Sequence, residues 1–258
     1  MRPFSTLTIA LVLISLVCFS SPASATIIFQ DSFEGQTVGA AVSTLTPPIG
    51  LSYTGSAGTV RDTSTVPPGG GGGGSSKFVA GSTAGGDWMF TKPADRTATA
   101  GQVITTELDA YYVSSTETTC NTFTTFPGDG TTWGTSAWQI GVSPTGVLKK
   151  YEGGADWVNV AGAPTIHTDQ WIHVKVVGDY TAKTFTATVD GFTFSGVFST
   201  GASAGNTYGK LYVSSPNYTS MFYDNVAVYT GVIPEPSTLV LLASGLVGLL
   251  CYAWRKRK

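Results

Sequence analysis

Apolar and polar positions alternate with a period of two in short runs through the middle of the chain. In Trp171–Val177, Ile172, Val174 and Val176 fall on one side, while Trp171, His173 and Lys175 fall on the other. Successive side chains of an extended strand point to opposite faces, so such a run predicts a half-buried β-strand. Further runs are Thr26–Gln30, Val103–Val113, Trp138–Ser143, Thr184–Asp190, Phe192–Phe198 and Met221–Tyr229, set apart by Gly, Pro, Asp and Asn. Asp190-Gly191 lies between two of them and is a hairpin signal, because a two-residue turn of the favoured hand needs positive φ at both positions. With a turn at Asp179-Tyr180-Thr181-Ala182, residues 171–198 read as a three-stranded meander. No stretch between the two ends of the chain sustains a helical period. The pattern predicts an all-β domain, a two-sheet sandwich or jelly roll. A chain of this length buries enough apolar surface to do without disulfide staples.

The two ends break the alternation. Arg2 is followed by an apolar run from Leu7 to Phe19 and by Ala23-Ser24-Ala25. A positive start, an apolar stretch and small residues describe a secretory signal peptide over residues 1–25, cut after Ala25. At the other end, Thr238 to Trp254 is apolar apart from Ser244, and Arg255-Lys256-Arg257-Lys258 follows at once. At a rise of 1.5 Å per residue this stretch spans about 25 Å as a helix, the lower limit for crossing a hydrocarbon core. The four cations would hold that end in the cytoplasm, so residues 26–233 face outward. Tyr252 and Trp254 stand where interfacial aromatics are expected. Just before the helix, Pro234-Glu235-Pro236 interrupts regular structure and keeps its carboxylate on an extended, accessible segment. Three regions result: a leader over residues 1–25, a β domain over 26–231 and a tail over 232–258.

The order of a Pro-Glu-Pro motif, a short transmembrane helix and a basic terminus resembles the PEP-CTERM sorting signal. That resemblance implies a bacterium with an outer membrane and an exopolysaccharide system. It also implies handling of the tail by an exosortase, a membrane-embedded transpeptidase-like processing enzyme. The route it describes is secretion across the inner membrane through the export machinery and a transient anchor through the C-terminal helix. The destination is the cell surface or extracellular matrix.

Composition narrows the chemistry. Nine of the 14 Lys and Arg and fifteen of the 16 Asp and Glu fall in residues 26–231, for a net charge of −6. No basic stripe exists outside the extreme C-terminus, which argues against nucleic acid as a partner. A mildly acidic domain is disfavoured, by charge alone, from adhering to anionic polymers, and a neutral glycan meets no such penalty. Cys18 lies in the leader and Cys251 in the tail helix, so Cys120 is left without an intramolecular partner after export. His167 and His173 have no acidic pair close by in sequence at metal-ligand spacing, and no Gly-x-Ser-x-Gly elbow is present. Gly69–Gly74 is followed by Ser75-Ser76-Lys77 rather than Gly-Lys-Ser/Thr, so it reads as a surface loop and not as a phosphate cradle.

A second resemblance concerns the domain itself. Asp31-Ser32-Phe33-Glu34-Gly35 opens it and Tyr223-Asp224-Asn225-Val226 closes it. Between them Gln170-Trp171-Ile172-His173-Val174-Lys175-Val176 leads into Phe185-Thr186-Ala187-Thr188-Val189-Asp190-Gly191. The set is similar to concanavalin A-like (laminin G-like) jelly rolls of the lectin and glucanase type, in which first and last strands are neighbours. Jelly-roll glucanases of that kind carry a Glu-x-Asp-x-x-Glu strand. Here Glu107 and Asp109 share a face, but Tyr112 stands at the third acidic position, so no catalytic residue is assigned.

Asp224 shares parity with Phe222, Val226 and Val228, which read as core positions, and a carboxylate there must be paired, hydrogen-bonded or bound to a cation. One expectation is a structural Ca²⁺ held by Asp31, Asp224 and backbone carbonyls; capping a turn or bonding backbone amides is the other. Residues 118–136 form a long irregular segment with aromatics, of the kind that often recognises sugars. Tyr111, Trp133 and Trp157 are the candidates for a glycan platform, set against filling the sandwich core. The combined expectation is an exported, non-enzymatic surface or matrix protein that binds exopolysaccharide. Its rivals are a polysaccharide hydrolase or lyase on the same fold, and a purely structural protein.

Overall fold

In the computed structural model, the residues described are 25–41, 44–45, 52–55, 59–62, 77–80, 86–91, 102–114, 121–126, 137–152, 156–198, 210–215 and 221–231, with 245, 249, 252 and 256 of the tail. Among them the chain forms fifteen strands. They are β1 (Ile27–Asp31), β2 (Ser52–Gly55), β3 (Thr59–Asp62), β4 (Lys77–Ala80) and β5 (Gly86–Thr91). Then follow β6 (Val103–Tyr112), β7 (Asn121–Phe126), β8 (Gln139–Val142), β9 (Leu148–Glu152) and β10 (Asp156–Asn159). The last five are β11 (Trp171–Asp179), β12 (Thr184–Val189), β13 (Phe192–Val197), β14 (Lys210–Ser215) and β15 (Met221–Thr230). The seven runs expected from alternation match β1, β6, β8, β11, β12, β13 and β15 within about two residues at each end. The other eight are four to six residues long, too short for a period of two to stand out from Gly- and Thr-rich surroundings.

Two sheets form a β-sandwich. The first runs β13-β12-β11-β6-β15-β4-β3, with β1 paired to the C-terminal half of β15; the second runs β10-β9-β8-β7-β14-β5-β2. All the pairings are antiparallel. Residues 26–230 make one compact unit. Its core lies between the sheets. Ile104 and Leu108 of β6, Ile172, Val174 and Val176 of β11, and Val226 and Val228 of β15 meet Ile140, Val142, Leu148 and Leu211 of the other sheet. Trp138, Tyr180 and Phe198 close one flank around Gly178, whose missing side chain lets the three rings approach. Trp138 is therefore a core residue.

The meander of β11, β12 and β13 is present, and its turn residues behave as their types dictate. Asp190 and Gly191 both have positive φ, 51° and 78°. The Asp179 carboxylate accepts the backbone N–H groups of Thr181 and Ala182, each at 2.8 Å.

One irregularity decides what lies on which face. On β15, Asp224 pairs with Asp109 and Ala227 pairs with Glu107, so Asn225 and Val226 together stand opposite Leu108. This is a β-bulge, with Asn225 at φ 48°. The extra residue reverses parity. Met221 and Tyr223 before it, and Val226 and Val228 after it, enter the core. Phe222, Asp224, Ala227 and Tyr229 take the outer face. Asp224 is fully buried and shares its side with Phe222, as expected, but the inserted position puts Val226 and Val228 on the other side of the sheet.

Of the tail, Gly245, Leu249 and Tyr252 are helical and exposed. Apart from these three residues the expected transmembrane helix over 238–254, and apart from Ala25 the expected signal peptide over 1–25, fall outside the described residues. Among the described residues no helix is long and apolar enough to cross a membrane.

A steric test of the sandwich is at Gly196, where an added Cβ would lie 2.5 Å from the buried Phe185 ring. Gly196→Ala is expected to cost about 1–3 kcal/mol through overpacking, read as a lowered urea midpoint with an unchanged denaturant slope.

Candidate functional site

The outer face of the first sheet is ordered in rows, because neighbouring strands hold side chains of equal parity side by side. One row is Trp171, Tyr111 and Phe222, on β11, β6 and β15. The next is His173, Asp109 and Asp224, and the one after it Thr193, Thr188, Lys175, Glu107, Ala227 and Gln30. Beyond that stand Ser195, Thr186, Val177, Thr105 and Tyr229. The face thus grades from aromatic, through ionic, to hydroxylated.

The ionic rows are knitted together. Lys175 Nζ lies 2.9 Å from Glu107 Oε1, and the Tyr229 hydroxyl donates to the same oxygen at 2.6 Å. His173 Nδ1 lies 2.9 Å from Asp109 Oδ1, while the Asn225 amide donates to Asp109 Oδ2 at 2.9 Å. Asn225 also donates its backbone N–H to Asp224 Oδ1 at 2.7 Å. Like charges directly opposite each other on neighbouring strands repel. The bulge residue bridges the Asp109–Asp224 pair, and the imidazole supplies a proton to one side of it.

Burial, with the Glu107 hydrogen bond and charge, pushes the Tyr229 phenol far up, so it remains a donor. The hydrogen bond to Asp109 holds the His173 imidazole above its ordinary 6.5. Burial opposes this, the charges of Asp109 and Glu107 add to it, and that of Lys175 subtracts. On the strands flanking this face, Thr188–Thr193 and Thr186–Ser195 form hydroxyl pairs at 2.9 and 3.2 Å.

The expected platform residues do not converge. Tyr111 is only 5% exposed, edge-on to Trp171 at 5.8 Å and to Phe222 at 5.7 Å. Its ring supports a small apolar island and has no free face for a sugar, which corrects the sequence expectation. Trp171 is the half-exposed member of that island and the better platform. Trp157 belongs to β10 in the other sheet, against Tyr151 at 5.9 Å. Trp133 and Cys120 fall outside the described residues.

Both histidines are exposed, and the sequence shows no acidic pair beside them at metal-ligand spacing. Pairing brings Asp109 to His173 from 64 positions away and Asp190 to His167 from 23. Only strand register could have revealed either partner. Lys175, Asn225 and Tyr229 likewise escaped notice, since nothing in their sequence neighbourhood marks them.

The Ca²⁺ expectation meets a poor fit. The first and last strands do pair, with Asp31 opposite Val226. Asp31 Oδ1, however, accepts the Phe33 N–H at 2.6 Å and Oδ2 the Gln36 amide at 2.9 Å, closing the turn in which Phe33, at φ 58°, buries its ring. Register gives Asp31 the core parity of Val226 and gives Asp224 the opposite one. Among the described residues no group of three or more His, Cys, Asp or Glu is placed to hold a metal. Ala25 stands just before Thr26, whose N–H meets the Thr230 hydroxyl at 3.1 Å. Pro234, Glu235 and Pro236 lie outside the described residues.

Comparison with known proteins bears on both parts. Residues 232–258 match the PEP-CTERM protein-sorting motif. No curated protein matches the chain. Its structure is similar to that of a conserved carbohydrate esterase from the Shiga toxin-encoding bacteriophage phi24B. That match has a TM-score of 0.55 at 12% identity, over 81% of this chain and 100% of that one. It is also similar to the binding domain of botulinum neurotoxin serotype D, with a TM-score of 0.52 at 8% identity over 85% of this chain. The chain spans about half of that domain, 52% of its length. A likeness to a sialidase, with a TM-score of 0.44 at 10% identity, takes in 59% of this chain and 15% of that one. Identities this low speak for a shared β-sandwich and not for a shared activity.

Two outcomes follow. The proton on His173 is favoured by folding, so its contribution to stability is complete below the ordinary pKa and disappears as pH rises through the raised one. His173→Gln should therefore lower the melting temperature more at about pH 5 than at about pH 9. Adding a chelator should leave the melting temperature of the wild type where calcium leaves it.

Proposed function

We propose that this chain is an exported, non-enzymatic surface or matrix protein that holds a neutral exopolysaccharide against the outer face of the β13-β12-β11 strands. In this reading the domain is a concanavalin A-like jelly roll and the leader is removed after Ala25. The tail passes to an exosortase after a transient stay in the inner membrane. The observation that carries the reading is the sorting motif at residues 232–258, which supports export and membrane-anchored sorting to the cell surface.

The face supports the ligand class. Trp171 offers apolar ring area beside the ionic row, and Thr186, Thr188, Thr193 and Ser195 offer hydroxyls at strand spacing. Sugars present the same mixture of apolar faces and hydroxyl edges, which aromatic and hydroxylated side chains match together.

The hydrolase reading is less well supported. A glycosidase needs one carboxyl group to donate a proton and another to attack or to activate water. Glu107 accepts from Lys175 and Tyr229, and Asp109 from His173 and Asn225, so both are tied to neighbouring side chains. Tyr112, at the third acidic position of the glucanase pattern, points into the core.

Titration of the full-length protein with the exopolysaccharide of its own host should show binding. Trp171→Ala should weaken that binding roughly tenfold, the worth of one aromatic contact, without lowering the melting temperature by more than a few degrees. Unchanged affinity would place the ligand elsewhere. Mass spectrometry of the exported protein should find molecules lacking residue 258, and an intact C-terminus on all of them would reject exosortase processing.

A further inference from the structure

The β9–β10 edge of the second sheet carries a different chemistry from the face just described. Pairing sets Trp157 opposite Tyr151 and Asn159 opposite Lys149. Leu148 of the same strand enters the core, so these four residues share the parity that faces away from it. The Tyr151 and Trp157 rings meet edge to face, with centroids 5.9 Å apart at 68°. Both are half-buried, and Asn159 is exposed. β10 ends its sheet, so among the described residues no further strand stands beside Trp157. On the inner side Gly141 stands opposite Lys149 and raises no side chain beside it.

Charge separates this patch from the first face. On the outward parity of β8, β9 and β10 stand Gln139 and Gly141, which are buried, and Lys149, Tyr151, Trp157 and Asn159, which are not. The single formal charge among them is the lysine ammonium, within a domain that is acidic as a whole. A cleft of ≈ 190 Å³ adjoins Asn159, between Gly146–Leu148 and the Val160–Thr165 segment. That is smaller than the roughly 300 Å³ at which small-molecule pockets begin, so a ligand would lie across this edge and not inside it. An aromatic edge, an exposed amide and one cation match one kind of polymer unit: a uronic acid. Its ring has an apolar face, its hydroxyls bond an amide, and its carboxylate pairs with an ammonium.

We propose that the β9–β10 hairpin is a second glycan surface, selective for a uronate-bearing chain. The outer faces of the two sheets of a sandwich point in opposite directions, so one domain would hold a neutral strand on one side and an acidic strand on the other. The second surface does not depend on the first.

Calorimetry on the full-length protein in detergent at low salt tests this, with hexagalacturonate as the probe and its fully methyl-esterified form as the neutral control. Hexagalacturonate should bind, with the ester roughly tenfold weaker and the difference shrinking as salt is added. Lys149→Gln should remove the preference for the acid, and Trp157→Ala should weaken both ligands. If Trp157→Ala lowers the melting temperature, Lys149→Gln, a surface change, decides alone. The inference is overturned by an absence of binding up to millimolar concentrations, by equal affinity for acid and ester, or by a preference that survives Lys149→Gln. Loss of hexagalacturonate binding in Trp171→Ala would move the acidic ligand to the first sheet. That result would refute this inference and leave the exopolysaccharide reading standing.

Discussion

A single extra residue in the last strand organises the outer face of the first sheet. Without the bulge at Asn225, a strand that enters with Met221 and Tyr223 in the core would carry Asn225 and Ala227 inward and expel Val226 and Val228. With it, both halves keep their large apolar side chains between the sheets. The residue that makes the correction is an asparagine, one of the few types that tolerate φ near 48°. Its amide then reaches Asp109 and its N–H reaches Asp224. The backbone irregularity and the polar network are therefore one device.

That device allows three carboxylates on two adjacent central strands of a domain poor in charge. Isolated, Glu107, Asp109 and Asp224 would repel one another and resist burial. Lys175 and Tyr229 meet the first, His173 and Asn225 the second, and Asn225 the third. Each partner comes from a neighbouring strand or from the bulge, so the network also ties β11 and β15 to β6.

The proposed matrix role would give the tail and the sandwich a common logic. The tail directs sorting, and its chemistry depends on an apolar stretch and four cations rather than on a folded surface. The sandwich presents two broad outer faces without a deep pocket among the described residues. Polymers need length of contact more than enclosure, and antiparallel sheets present side chains at regular intervals along and across the strands.

Much of this was legible before any fold was known. The apolar ends, the Pro-Glu-Pro segment and the basic terminus are contiguous, so reading them requires no tertiary information. The strands with strong alternation, and the Asp190-Gly191 turn, are likewise local. What sequence could not supply is whatever depends on register. The shared parity of Asp224 with Val226 and Val228 failed because a bulge leaves no local mark except an Asn. Tyr111 passed for an exposed platform because strand parity places it outward, whereas its burial comes from Trp171 and Phe222, 60 and 111 positions away. His173 passed for an isolated histidine because its carboxylate lies on another strand. Alternation along one strand tells which side chains share a side; only the pairing of strands decides what stands next to them, since hydrogen-bond register is a property of two segments at once.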